Sequence, residues 1–134
     1  MVTIASSLQD THAAAELAAG HDGIWSTAGV HPHEVSQAQD DDLNKIRDFA
    51  MIHPEVVAIG ETGLDYYYNR DFVEQQQLSL RNHISVAREL NKPLIIHTRD
   101  AREDTINLMR AHNAENCGVS MFSEPSRIGQ PSRQ

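Results

Sequence analysis

Residues 56–69, VVAIGETGLDYYYN, pass from small and apolar side chains straight into Glu61, Thr62, Gly63 and Asp65. A buried strand folds without acids at its tip, and an unpaired carboxylate there is costly. Two other stretches share the arrangement. GVHPHE sets His31 and His33 just after an apolar segment, and IIHTRDA sets His97, Arg99 and Asp100 after another. Imidazole and carboxylate together suit Zn²⁺, Mn²⁺ or Mg²⁺, according to ligand number and geometry. A cation, or a network ordered by one, is the expected compensation for the acid.

Each residue also has a plain structural use. Glu61 can cap a helix or pair with an arginine, and His97 can be a hydrogen-bonded core histidine. His31 and His33 flank Pro32 and fit an exposed turn. Asp100 lies three residues before Glu103 and fits a helix N-cap. Asp65 fits a turn beside Gly63, and Tyr66–Tyr68 fit packing between strand tip and helix. His12, His21, His53, His83 and His112 read as surface residues. The joint pattern favours function: three successive apolar segments end in acid or imidazole, and parallel α/β proteins bind ligands at the carboxyl ends of their strands.

The elements that must present these residues follow from periodicity. Four apolar segments, Val2–Ala5, Ile24–Val30, Val56–Gly60 and Pro93–His97, read as strands. Helical patterns stand between and after them. One runs over Asp10–Ala19, with Asp10 as the expected N-cap and Gly20 past its end. A second opens in the acidic run QDDDLNKIRDFA, with Leu43, Ile46, Phe49 and Ala50 on one face. In the third, Val73, Leu80, Ile84, Ala87 and Asn91 fall at helical spacing. The fourth follows Asp100 and aligns Thr105, Leu108, Met109 and His112. This alternation, with near-continuous apolar strands, predicts an α/β fold with a parallel sheet covered by helices. Val119–Phe122 would begin a fifth strand. Residues 1–122 are thus expected to form one domain, and 123–134 an irregular or disordered tail.

The chain has 134 residues, enough for one domain with a real core. Its 40% apolar and 22% charged content is that of a globular protein. No apolar run approaches the ~18 residues of a spanning helix, so no membrane partner is expected. MVTIASSLQD lacks the basic and apolar regions of a secretory signal. Cys117 is the single cysteine and has no internal partner for a disulfide. Together these features predict a cytoplasmic setting. A net charge of −8 argues against gripping nucleic acid through a basic face, though not through bound metal.

GVHPHE, AIGETGLDYYYN, and QQ followed by a helix ending in ARELNKPLIIHTRDA closely resemble the TatD-type metal-dependent deoxyribonucleases. The likeness covers about residues 2–117 in order. It implies a partial TIM-type (β/α) barrel of four to five parallel strands, two divalent ions (Mg, Mn or Zn), and hydrolysis of DNA phosphodiesters at single-stranded or 3′ ends. It also implies roles. Glu61 would bridge the metals, and His97 would be another metal ligand, the two forming the catalytic pair. His31 or His33 would contact phosphate, and Asp65, Arg99 and Asp100 would orient these groups.

The resemblance has gaps. The family's HxH motif on its first strand would precede Met1. The histidine expected near the fifth visible strand is absent, since Val119-Ser120-Met121-Phe122 stands there. The late metal-binding aspartate would lie beyond Gln134. A full barrel needs ~250 residues. The expectation is therefore a truncated or frame-disrupted product whose open sheet edges invite self-association. Two alternatives stand beside the nuclease: an inactive half-barrel acting only by association, and a related metal-dependent hydrolase of another ester or amide.

Overall fold

The computed structural model describes residues 2–5, 7–38, 41–68 and 70–112, and 119–124 as backbone. Strands and helices alternate: β1 (Val2–Thr3), α1 (Leu8–Ala19), β2 (Trp25–Ala28), α2 (Asp42–Ile52), β3 (Val56–Asp65), α3 (Val73–Leu90), β4 (Leu94–Arg99), α4 (Arg102–Ala111) and β5 (Val119–Glu124). The five strands pair in chain order, every pair parallel. This is the partial (β/α) barrel that the alternation and the resemblance predicted. A parallel sheet puts all its carboxyl ends on one rim, so the three polar motifs share an edge.

The helices lie on the sheet through the faces that periodicity assigned. Ile46 and Ala50 of α2, and Leu80, Ile84 and Ala87 of α3, are buried against Ile59, Leu94 and Ile96 of the strands. Full burial of one such aliphatic side chain contributes about 1.5–3 kcal/mol. Leu43 and Phe49, and Leu108 and Met109 of α4, pack partly buried at the margin. Asn91 closes α3 in the left-handed conformation, φ 55°, and its N–H reaches the carbonyls of Ala87 and Arg88.

Several boundaries differ from expectation. Helix α1 begins at Leu8, and its N-cap is Ser7, whose Oγ accepts the Asp10 N–H at 3.2 Å. Asp10 therefore lies inside the first turn, where its charge suits the helix's positive end. Asp100 does not cap α4. It adopts φ 55°, which turns the chain before the helix and leaves Ala101 at the cap without a side-chain bond. The fifth strand forms and continues past residue 122 to Glu124, paired with β4 from Leu94↔Val119 to Arg99↔Glu124. The rest of the expected tail, residues 125–134, lies outside the described residues, as does Cys117.

The largest difference is in β3, which does not stop at Gly60 but runs on through GETGLD to Asp65. Its pairing with β4 shifts on the way. Ile59 opposes Leu94 and Thr62 opposes Ile96, so three steps on β3 match two on β4. The extra residue is a β-bulge, a device that re-aims a side chain. Glu61 sits in it. Glycine is required on both sides: a Cβ at Gly60 (φ 122°) would collide with the Ile95 carbonyl, and one at Gly63 (φ 139°) with the His97 carbonyl. The Gly60–Glu61 peptide bond is cis.

Candidate metal centre at the strand tips

Beyond the bulge, side chains on β3 alternate between faces, so Glu61, Gly63 and Asp65 share one. Gly63 has no side chain, and its partner across the ladder is His97. The imidazole occupies the space between the two acids. Its Nδ1 lies 3.5 Å from Oε2 of Glu61, and its Nε2 lies 3.0 Å from Oδ2 of Asp65. His97 and Asp65 are buried, while the Glu61 side chain stays 20% exposed at the mouth.

The GVHPHE turn brings in two more rings. His31 accepts the His33 N–H on Nδ1 at 3.1 Å and points Nε2 toward Glu61 at 3.9 Å. His33 Nε2 meets Asp65 Oδ2 at 2.7 Å. The His31 and His97 ring centres are 4.8 Å apart. Two donor triplets result, His31–Glu61–His97 and His33–Asp65–His97, each with ligand atoms within 4.8 Å of one another. Five of the seven singled-out residues thus converge. Arg99 is buried nearby, with its guanidinium over the rings of Tyr67 and Tyr68 at 4.5 and 4.9 Å. Asp100 is exposed and stands outside both triplets.

The protonation states follow from these contacts. The His97 hydrogen bond and the neighbouring imidazoles outweigh burial and hold Glu61 below the usual carboxylate range. Asp65 is also lowered: burial pushes it up, but the Tyr68 N–H, His33 and His97 more than offset that. His31 is pushed down to about 4 by burial and by the neighbouring rings, against the pull of Glu61 and Asp65. Burial disfavours the cation of His97, yet its bonds to Glu61 and Asp65 raise it overall.

Two supporting side chains went unread in the sequence. Gln76 of α3 is fully buried and clamps the end of β3. Its Oε1 accepts the Asp65 N–H at 2.6 Å, and its Nε2 donates to the Asp65 carbonyl at 3.3 Å. His83, expected at the surface, is also fully buried, and its Nε2 accepts the Val30 N–H at 3.0 Å. It thereby fixes the residue before His31. Both lie on the stripe of α3 that carries Leu80, Ile84 and Ala87, which was the available signal. Of the other histidines read as surface, His12 and His21 are exposed, while His53 and His112 are half-buried.

The chemistry of the first triplet suits a divalent ion. A neutral imidazole has one lone pair. With Nε2–H donated to Asp65, Nδ1 of His97 faces the same space as Glu61 and His31. A carboxylate that orients a ligating histidine from behind is a common support in metal sites.

The sequence model of TatD-related DNases matches residues 1–126. The chain belongs to this family. Relatives include YcfH of Escherichia coli K12, named an uncharacterized metal-dependent hydrolase. It is 44% identical over 103 residues, 77% of this chain and 38% of YcfH. A 3′-5′ ssDNA/RNA exonuclease TatD from Escherichia fergusonii is 42% identical over 104 residues, 78% of this chain and 40% of the relative. The crystal structure of YjjV, a TatD homolog from Escherichia coli K12, superposes with a TM-score of 0.81 at 25% identity, over 92% of this chain and 48% of YjjV. This TatD-family chain spans about two-fifths of the length of the curated relatives it matches.

Proposed function

We propose that this chain is the metal-binding part of a hydrolase that cleaves phosphodiester bonds at the 3′ ends of single-stranded DNA. The observation that carries the reading is the convergence of Glu61, His97 and His31 on one rim. Their two nitrogen donors and one carboxylate would hold a divalent ion, with Asp65 fixing the His97 ring behind it. Such an ion supplies a Lewis acid for the phosphate and an acidified water as nucleophile. His33, more exposed and beside Asp65, is positioned to donate to a phosphate oxygen. The exonuclease name of the relative from Escherichia fergusonii supports the choice of substrate. The acidic surface fits affinity that comes from metal and phosphate rather than from a basic face.

The test pairs calorimetric titration of Mn²⁺ with digestion of a 5′-labelled single-stranded oligonucleotide. Saturable binding and metal-dependent shortening are expected, and Glu61→Gln should abolish the shortening while the fold survives. Cleavage at the original rate by that variant would remove Glu61 from the ligand set. His97→Ala should weaken Mn²⁺ binding, and Asp65→Asn should weaken it by about 10- to 100-fold. A panel of small esters and amides tests the related-hydrolase alternative.

A second reading is an inert half-barrel that acts by association. The observation favouring it is the exposure of the apolar residues Val2, Ile4 and Trp25 at β1 and β2. Divalent binding no tighter than about millimolar, with no cleavage, would support it.

A further inference from the structure

Beside the imidazole cluster stands an aromatic pair that the hydrolytic reading leaves unused. Tyr68 is 62% exposed, a large share for an aromatic ring. It is nonetheless held in place. Oδ1 of Asp65 accepts the N–H groups of Tyr67 and Tyr68 at 3.0 and 2.9 Å. The two rings meet edge to face with centroids 4.6 Å apart. The Arg99 guanidinium lies over both. Asp65 is therefore a rigid link, with one oxygen on His33 and His97 and the other on the backbone of the tyrosines. The Tyr68 ring lies 5.6 Å from that of His33.

We propose that Tyr68, supported by Tyr67 and Arg99, is a stacking platform for one nucleobase of the single strand whose phosphate enters the imidazole cluster. The proposal rests on the phosphodiester reading above and adds a base subsite to it. A pre-ordered aromatic residue that stays 62% exposed gains by stacking its ring on another flat π-system. Aromatic stacking is the sequence-tolerant way to hold an unpaired base. The guanidinium under the rings strengthens the platform by a cation–π contact and fixes its tilt. The ring-to-ring spacing from Tyr68 to His33 is of the order of the span from a base to its own phosphate, so one nucleotide reaches both. Backbone contacts alone would not need the tyrosines.

The experiment measures binding of two probes to the whole chain in Ca²⁺ by fluorescence anisotropy. One probe is a single-stranded oligonucleotide with 2-aminopurine at its 3′ end; the other is an abasic sugar-phosphate oligomer of equal length. The base-bearing probe should bind more tightly, and its 2-aminopurine emission should be quenched. Tyr68→Leu should weaken that probe by about 5- to 150-fold and relieve the quenching. It should leave the abasic probe unchanged, and Tyr68→Phe should behave like the original protein. If Tyr68→Leu weakens both probes equally, or neither, the platform is refuted while the phosphate reading stands. If neither probe binds the unmodified chain at any Ca²⁺ concentration, the phosphodiester reading falls and the platform falls with it.

Discussion

The N–H of Val30 donates to Nε2 of His83, so that nitrogen carries no proton. The ring's proton is on Nδ1 and goes to the Ser79 carbonyl at 2.7 Å. A second proton would set one donor against another. Burial accordingly pushes His83 down to about 4, against the pull of the Ser79 carbonyl. In the unfolded chain the ring titrates near 6.5, about its ordinary value. Between the two values the unfolded chain holds a proton that the folded chain lacks, so stability rises with pH. This contribution is complete above about pH 6.5 and is lost as pH falls toward about 4. His83→Gln removes the titration. From about pH 7.5 to about pH 5 the unaltered chain should lose about 2 kcal/mol more than the variant in urea unfolding. Equal acid slopes would mean that His83 is protonated when folded. His83 reads as a surface histidine, yet position 83, three after Leu80 and four before Ala87, falls on the buried stripe, and a buried polar group needs a partner. That the partner is Val30, 53 residues away, was not legible.

At the level of elements, the site depends on how β3 ends. Residues 56–60 read plainly as a strand because they are apolar. Its continuation was hidden, since Gly60 and Gly63 carry no side chain to show alternation and the bulge breaks the period of two. The extension is paired with β4 as far as Asp65↔Arg99, and α3 clamps its end. Gln76 presents an amide to the Asp65 backbone much as a neighbouring strand would, at a rim position where Asp65 also carries His33, His97 and both tyrosine N–H groups. Gln76→Ala leaves the Asp65 N–H buried without this acceptor, a loss of about 1–3 kcal/mol. The unfolding free energy in water should fall by that amount, seen as a lower urea midpoint at an unchanged slope, and Mn²⁺ affinity should fall with it as Asp65 loses its register. Full stability and full affinity in the variant would mean that β3 needs no clamp. Helix ends were read less well than helix bodies. Ser7 and Asp10 are both good caps, and only the backbone path chooses between them.

For the molecule as a whole, the sequence conveyed the winding of the sheet better than its closure. Alternating elements imply a parallel sheet, but whether such a sheet closes depends on how many units there are. Five strands in simple order leave β1 and β5 each paired on one side among the described residues. Unpaired strand edges expose backbone donors and acceptors, a template for another chain. β1 is only two residues long, which blunts that edge, yet apolar side chains surround it. Val2 is 48% exposed, Trp25, its register partner on β2, 47%, and Ile4 43%. Contiguous exposed apolar surface of this kind marks association more often than solvation. Net charge works against it, since −8 on each copy repels a second at low salt. Two consequences follow for sedimentation equilibrium. Mass should rise above that of one chain as concentration increases, and rise further when salt shortens the screening length to about 8 Å or less. Trp25→Lys, which puts a charge in the middle of the apolar group without touching the strand-tip rim, should return the chain to a monomer at the same concentration. A mass equal to one chain at every concentration and salt would show that these residues are merely wetted.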